Sequence, residues 1–533
     1  MVKAICSYLF DRRAGPSNHL VARWLFLRSL GFVYFSAFLA LVFQIRGMVG
    51  AQGILPAADY LQALHRLGAL RFWYAPSLAW ISASDTTLLA LAWLGLIASV
   101  AVMANLAPRI SLILCFVGFL SFIGVSQDFG QYQSDGMLLE AGFLSLFIAP
   151  RGLLPGLGHN SPPVRAAIFL LLWEWFRIYF ESGVVKLLSG DPTWRNLTAM
   201  YEYYQNCPLP TWIGWYLQHL PNWFHVATAA ATLIMELLLV WMAFLPRRWR
   251  IACFWLVTIW QAGVILTANY AFLNYLVLFL GFLLLDDEYL TRFVPKRLRN
   301  GLGTVPESTL LPQVEPNSDT ARSARSWSIL ARTGVAAFFL LWIGYATTAQ
   351  LIRMFWHAAP LPSAPVILLE PFRIANAYGL FAVMTPHRYE IEFQGSDDGQ
   401  AWTPYAFQFK PQDVHERPGI YAPYQPRFDW NLWFASLGPW QQSQIVPLTE
   451  ERLLESDAAV LSLFRGNPFP QHPPRYVRAV LWQYWFSTAE QKRAEGLWWR
   501  RQLLGTYAPT LQKLSSGGFG EVSDPELVGP PNN

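Results

Sequence analysis

Long apolar runs recur through the first two thirds of the chain and constrain its fold more than any other feature. Each run approaches or exceeds the length that a helix needs to cross a bilayer. Nine runs cover residues 24–43, 86–106, 110–126, 136–150, 166–188, 224–245, 251–268, 270–285 and 330–352. Only 14% of the 533 residues are charged, which is too few to cover a soluble domain of this size. The pattern excludes a soluble enzyme and predicts a mainly α, polytopic membrane bundle of eight or nine spans.

The distribution of lysine and arginine between the loops predicts the orientation of the bundle. Sixteen basic residues lie in loops on the side of the N-terminus, whereas the opposite loops contain four: Arg46, Arg66, Arg71 and Arg195. Because cytoplasmic loops are enriched in lysine and arginine, we expect a cytosolic N-terminus and, after an odd number of spans, a C-terminal domain outside the cytosol. The net charge of +5 is small for this length, so no nucleic-acid partner is expected.

A change in pattern near residue 353 predicts a second domain. Alternating apolar residues around Asp398 and Gly399 indicate a β-hairpin. We expect a transmembrane domain at 1–352 with a mobile cytosolic linker at about 301–326, and an extracytoplasmic β-rich, sandwich-like domain with C-terminal helices at 353–510. Stretches 450–464 and 487–504 are interpreted as helical, and 511–533 as a disordered tail.

Four charged residues lie within the fifth apolar run, where burying a charge is expensive. Helical geometry places Glu174, Arg177 and Glu181 on one stripe and Lys186 about 120° away from it. One interpretation is a structural ion-pair network that ties the bundle together. The other is a buried acid/base or ligand-binding site, in which desolvation would make Lys186 a useful base.

The remaining chemistry-bearing residues are scattered. Asp135 and Glu140 open the fourth run, and Glu236 lies in the sixth. No nucleophile-elbow, nucleotide-binding or zinc-protease motif is present. The nine histidines form no ligand pattern, so neither a metal site nor a cofactor is predicted. The four cysteines include no C-x-x-C pair, and no internal disulfide is expected.

Five stretches of the sequence resemble the lipase maturation factor family. They are SDGMLLEAGFLSLFIAP (134–150), FRIYFESGVVKLLSGDPTWRNLTAMYEYYQNCPLPTWIGWYLQHLP (176–221), NYAFLNYLVLFLGFLLLDD (269–287), YEIEFQGSDDGQAWTPYAFQFKP (389–411) and PYQPRFDWNLWFASL (423–437). The second stretch brings Asp191, Trp194 and Arg195 into the set of buried polar candidates. The resemblance implies a non-enzymatic factor that assists the folding, assembly or maturation of secreted lipases or other exported proteins.

The same resemblance implies a location and partners. Eukaryotic members are endoplasmic-reticulum proteins with a lumenal C-terminal domain, and in a bacterium the equivalent is an inner-membrane protein with that domain in the periplasm. The expected partners are membrane lipids and a secreted lipase or other exported client. In the last stretch, Arg427, Asp429, Trp430 and Trp433 are candidates either for client contacts or for structural interactions, including an Arg427–Asp429 ion pair.

A more distant resemblance to the membrane part of vitamin K-dependent carboxylases covers 134–150 and 176–221. In those relatives a lysine near the equivalent of Lys186 is implicated in base chemistry. This implies an alternative function, a membrane-embedded enzyme that acts on a lipid or quinone-like cofactor. Its catalytic residues would be Lys186, Glu181, Glu174 and Arg177.

Overall fold

A computed structural model describes residues 2–293, 319–515 and 517–527 of the chain. In the first part, helices of seven or more residues are α1 Val2–Phe10, α2 Leu20–Val49, α3 Ala57–Leu64, α4 Asp85–Met103, α5 Pro108–Ile123, α6 Gln133–Ile148, α7 Arg165–Leu188, α8 Trp212–Gln218, α9 Asn222–Leu237, α10 Arg247–Thr267 and α11 Leu273–Leu280. After the gap come α12 Asp319–Phe355, α13 Arg427–Ala435, α14 Ile445–Leu454 and α15 Ala489–Glu495. The predicted mobile linker at 301–326 lies outside the described residues up to 318 and enters α12 from 319 onward.

Helix α2 forms the centre of the membrane bundle because it is apolar on every side, as expected of a helix surrounded by others. It packs against α4, α6 and α11. A Cβ at Gly95 would lie 2.2 Å from the ring of Phe38. Glycine at this position therefore allows α4 to approach α2 closely.

Five helical segments among the described residues are long and apolar enough to cross a membrane. They are Ser17–Val49, Asp85–Met103, Asn222–Phe244, Arg247–Thr267 and Leu330–Phe355. All nine predicted runs contain helix, but α5, α6 and α11 are shorter and α7 carries several charges. The membrane bundle is confirmed, whereas the count of eight or nine spans is not.

The C-terminal region is built on one antiparallel sheet. Its strands are β1 Arg388–Ser396, β2 Thr403–Pro404, β3 Tyr476–Phe486, β4 Trp499–Thr506, β5 Thr510–Lys513 and β6 Phe519–Ser523. The order is β2-β1-β3-β5-β6, and β4 also pairs with β3. The predicted hairpin is confirmed at its turn, where Gln394 pairs with Pro404 and Gly395 with Thr403, but its second strand has only two residues. Gly399 adopts a φ of +74° in the connecting turn, a conformation that favours glycine.

Helices α13 and α14 pack on one face of this sheet. Tyr389, Ile391 and Phe393 of β1 alternate toward this packed face, where they are buried. The described strands form a single sheet, so the predicted sandwich is wrong. A helical layer takes the place of the second sheet.

Two local predictions at the end of the chain are also wrong. The stretch 487–504 is helical only over α15, because Gly496 ends the helix with a φ of +72° and β4 starts at Trp499. The stretch from 511 is not disordered throughout, because β5 and β6 pair with each other and β5 pairs with β3. Gly517, with a φ of +89°, lies in the turn between them.

Candidate functional site

The predicted charge stripe exists on α7 and is completely buried. The guanidinium of Arg177 forms an ion pair with Glu140 of α6 and lies 3.9 Å from the carboxylate of Glu181. Glu174 is equally buried but makes no ion pair with any described residue. The cation therefore lies between carboxylates of two helices and joins α6 to α7.

A segment beyond the last span completes this network, and we call residues 374–384 the tether. The backbone N–H of Asn376 and the hydroxyl of Tyr378 each donate to Glu140, both at 2.9 Å. The backbone N–H of Tyr378 donates to Glu181 at 2.7 Å, and Arg177 donates to the carbonyl of Asn376. The buried charges of the bundle therefore bind the chain that leads into the sheet domain.

Asn376 and Tyr378 were not among the candidates predicted from the sequence. The side-chain amide of Asn376 donates to the carbonyl of Gly136 at 3.0 Å. A Cβ at Gly136 would lie 2.8 Å from the Asn376 side chain, so glycine makes room for it. The D-G sequence at the start of α6 was the only local signal of this close approach.

Lys186 is bound to a different carboxylate from the ones predicted. Its ammonium lies 2.9 Å from Glu236 of α9, and it donates to the carbonyls of Leu380 at 3.0 Å and Ser182 at 3.4 Å. These three contacts use all three N–H donors of an ammonium group. Lys186 therefore pairs with Glu236 and not with Glu181 or Glu174 of the alternative catalytic set, because the helix directs Lys186 away from the stripe and toward α9.

A cavity of about 260 Å³ adjoins this ion pair. Lys186 and Glu236 are its charged lining residues, and most of the wall is aromatic or aliphatic, including Trp194, Trp260 and Phe381. The ring of Trp194 lies 5.1 Å from the Lys186 ammonium. Of the four residues of the alternative catalytic set, Lys186 alone lines the cavity, so the structure does not bring that set together around this space.

The tether is also bound from its outer side by residues after α7. Asp191 caps a short helical turn through the N–H of Thr193 at 2.8 Å and accepts a hydrogen bond from the N–H of Met384 at 2.7 Å. The indole of Trp194 donates to the carbonyl of Phe381 at 3.0 Å. Arg195 is exposed and donates to the carbonyl of Leu187. Two of these three predicted polar residues thus contact the tether.

A second buried ion pair joins the sheet domain to the bundle. Arg427 of α13 donates two hydrogen bonds to Asp135 of α6, at 2.7 and 2.8 Å, and a third to the carbonyl of Phe129. Both side chains are completely buried. A bidentate ion pair of this kind fixes the relative orientation of the two side chains in addition to the attraction between their charges.

The other candidates near Arg427, which are Asp429, Trp430 and Trp433, are buried. Trp430 and Trp433 are 5% and 7% exposed, so these faces of α13 are not available to a client in this structure. The carboxylate of Asp429 accepts hydrogen bonds from the backbone N–H groups of Phe409 and Lys410, both at 3.2 Å. Arg427 pairs with Asp135 instead of Asp429, so the expected Arg427–Asp429 pair is wrong.

We predict that Asp429→Asn stabilises the protein above pH 6. Burial raises the pKa of Asp429 to about 6 from an ordinary value of 3.8. Since the folded-state pKa is the higher one, this group favours folding below about pH 4, and that contribution is lost as pH rises through 6. Asparagine can accept the same two N–H bonds without a charge. The expected gain is about 3 kcal/mol at pH 7.5, measured by unfolding in detergent.

The matched control for this prediction is Asp524→Asn, because Asp524 is exposed and its loss should leave stability unchanged. At pH 4 both variants should match the parent protein. Equal stability of Asp429→Asn and the parent at pH 7.5 would contradict the assignment.

The described residues contain no group of three or more histidine, cysteine or acidic side chains placed to hold a metal ion. The four cysteines are free. Burial raises the pKa of the Cys207 thiol to about 12, so this side chain is not a ready nucleophile. The arrangement of the site is suited to holding segments together.

The two halves of the chain match two family models. Residues 21–292 match the lipase maturation factor transmembrane domain, and residues 374–509 match the lipase maturation factor C-terminal domain. The chain belongs to the lipase maturation factor family. The second match starts at the first residue of the tether, so both partners in the buried contacts described above lie within matched regions.

Individual relatives extend this similarity over nearly the whole chain. Lipase maturation factor 1 of Bos taurus is 32% identical, with 94% of this chain and 90% of the relative covered. Lipase maturation factor 2 of Gallus gallus is 32% identical, with coverages of 95% and 82%, and lipase maturation factor 1 of Homo sapiens is 31% identical, with 93% and 90%. No solved structure matches significantly. These relatives give no support to the carboxylase-like alternative.

Proposed function

We propose that this protein is a membrane-anchored maturation factor that assists the folding or assembly of exported lipases or similar clients. The observation that carries the proposal is the similarity to lipase maturation factors 1 and 2, which covers 94% and 95% of the chain and includes the sheet domain. The buried charges support it, because Arg177, Lys186 and Arg427 are each engaged in ion pairs that bind the tether or the sheet domain. Such contacts hold the sheet domain at a fixed position above the bundle.

The client surface proposed here lies on exposed parts of the sheet domain. The internal positions of Trp430 and Trp433 suit them to a structural role. Strand β4 is exposed over Arg500, Gln502 and Leu503 and forms ladder hydrogen bonds with β3. An exposed strand edge offers backbone groups to an extended segment of a client.

The full-length protein in cells that lack their own lipase maturation factor tests this function. Co-expression with a dimeric secreted lipase should restore secreted lipase activity. An inactive lipase despite correct membrane insertion of the protein would contradict the proposed function. Crosslinking of the full-length protein to the lipase precursor during synthesis would show direct contact.

We further propose that the sheet domain is extracytoplasmic, which means periplasmic if the chain resides in a bacterial inner membrane and lumenal in an endoplasmic-reticulum membrane. Basic residues assigned to the cytosolic side from widely separated loops meet at one end of the bundle. Arg12 donates to the carbonyl of Phe147, Arg109 to that of Leu146 and Arg165 to that of Ala14. Helix α12 leads from this end toward the tether, which supports placement of the sheet domain on the other side.

Reporter fusions are expected to show this orientation. Alkaline phosphatase fused at the C-terminus should be active, whereas green fluorescent protein at the same position should remain dark in a bacterial host. A green fluorescent fusion at the N-terminus should be bright. A bright C-terminal fusion together with an inactive phosphatase fusion would contradict the positive-inside assignment.

A further inference from the structure

Five arginines surround a cavity of about 620 Å³ at the end of the bundle that we assign to the cytosol. They are Arg12, Arg13, Arg109, Arg151 and Arg332, and the single acidic residue in the lining is Asp11. None of the five forms an ion pair with a carboxylate of the described residues. The cavity therefore concentrates positive charge that the described part of the chain does not neutralise.

Two of these arginines form a fixed inner wall. Arg12 donates to the carbonyls of Phe147 and Ala149 and to the hydroxyl of Ser161, at 2.6, 2.9 and 3.0 Å. Arg109 donates twice to the carbonyl of Leu146, at 2.8 and 3.2 Å. Backbone carbonyls at the C-terminus of α6 hold both guanidinium groups in place, as expected for cations at the negative end of a helix.

The other three arginines form the rim. Arg13, Arg151 and Arg332 are exposed, and their guanidinium groups make no hydrogen bond to any described residue. They come from three separate parts of the chain: the turn after α1, the loop after α6 and the first turns of the last span. Their convergence on one cavity is therefore a product of the tertiary fold.

The pKa of Arg12 reflects its burial first and the crowding of these charges second. Burial, followed by the neighbouring Arg109, Arg151 and Arg23, lowers the pKa of Arg12 to about 8. A bound anion would counter the repulsion among these groups. Guanidinium groups bind phosphate oxygens through paired N–H donors, and the empty donors at the rim are suited to this.

The position of the cavity identifies the kind of anion. Its apolar wall includes Phe10, Phe147, Val164 and Val335. Val335 is exposed on α12, within a segment that is long and apolar enough to cross a membrane. A ligand that fits has a phosphate at the water interface and an apolar part that extends along a span.

We propose that this arginine cavity binds the phosphate headgroup of an anionic phospholipid from the cytoplasmic leaflet. Basic pockets between membrane helices on the cytoplasmic side are a known class of lipid headgroup site. Binding would join the turn after α1, the loop after α6 and the first turns of the span Leu330–Phe355 through one ligand. A soluble phosphate ester shares the recognised chemistry, and the test below separates the two sources.

The test titrates purified full-length protein in a neutral detergent and measures bound ligand by native mass spectrometry. The probes are dioctanoyl phosphatidylglycerol, dioctanoyl phosphatidylcholine and glycerol 3-phosphate. The variant is the triple substitution Arg13→Gln, Arg151→Gln and Arg332→Gln. Its matched control is Arg248→Gln, which removes an exposed arginine from the same side, outside the cavity.

We expect phosphatidylglycerol to bind in preference to phosphatidylcholine and to glycerol 3-phosphate. Each rim guanidinium should contribute about fivefold to affinity, so the triple variant should bind on the order of 100-fold more weakly. The control should bind like the parent, and a triple Arg→Lys variant should retain much of the affinity. An unchanged melting temperature would show that the triple variant is folded.

Equal affinity of the triple variant and the parent for phosphatidylglycerol would overturn the proposal. Equal binding of phosphatidylcholine would also overturn it, because that lipid has no net negative charge. Glycerol 3-phosphate that binds as tightly as the lipid would overturn the lipid assignment and identify a site for soluble phosphate esters. Each of these results is independent of whether the protein matures a lipase.

Discussion

Replacement of Arg177 by methionine is expected to lower the free energy of unfolding by about 3–5 kcal/mol, because it leaves buried carboxylates without their cation. Glu140 and Glu181 both face this guanidinium in a completely buried setting. The carbonyl of Asn376 also loses its donor. Thermal and chemical unfolding of the full-length protein in detergent measures the loss, together with the yield of monodisperse protein.

Partial rescue should identify the cause of that loss. Adding Glu140→Gln to Arg177→Met removes one of the uncompensated charges and should recover part of the stability. Arg248→Met is the control, since Arg248 is exposed and its replacement should change stability little. Equal stability of Arg177→Met and the parent protein would contradict the proposed role of this cation in bracing the bundle.

Replacement of Arg427 by methionine should have a comparable effect, about 3–5 kcal/mol, for the same electrostatic reason. The two substitutions differ in the part of the molecule that they loosen. Asp135 would remain buried in α6 without its partner, and the hydrogen bond to the carbonyl of Phe129 would be lost. The expected result is a loosened sheet domain, visible as faster proteolysis between α12 and the tether while the bundle stays intact.

A second substitution distinguishes the effect of the uncompensated charge from the effect of the lost side-chain packing. Asp135→Asn in the Arg427→Met background should slow proteolysis toward the parent rate. The control is Arg475→Met, an exposed arginine of the same domain. Proteolysis of Arg427→Met at the parent rate would show that the Arg427–Asp135 pair does not hold the two domains together.

Helix geometry accounts for the part of the site that the sequence predicts correctly. Spacing alone places Glu174, Arg177 and Glu181 on one buried face and turns Lys186 away from it, and the structure has both features. Local spacing does not define a partner on another helix. The Glu236 that binds Lys186 is 50 residues away, and the Asp135 that binds Arg427 is 292 residues away.

The contacts of the tether are also beyond what local sequence spacing can predict. Asn376 and Tyr378 lie in a stretch without secondary-structure periodicity, so no local pattern marks them as the partners of Glu140 and Glu181. The sequence pattern did not predict strands β5 and β6, for a related reason. Their connecting SSGG sequence is typical of flexible chain, yet Gly517 with its positive φ forms the turn of a hairpin that the sheet stabilises.

We propose that the buried charges serve to hold the fold together and are not a catalytic site. Replacing both members of the Lys186–Glu236 ion pair, as Lys186→Met with Glu236→Leu, tests this proposal. A buried ion pair exchanged for apolar side chains of similar size is often neutral or stabilising, whereas the loss of one member is destabilising. Lys186→Met alone should therefore reduce the yield of folded protein, and the double variant should restore it.

The decisive measurement is secreted lipase activity per mole of inserted protein for the double variant in the complementation assay. We predict activity within about twofold of the parent protein, because the apolar pair preserves packing without a buried charge. A double variant that folds and inserts normally but fails to mature the lipase would contradict a purely structural role for this ion pair. That result would show that the Lys186–Glu236 pair performs chemistry beyond structural support.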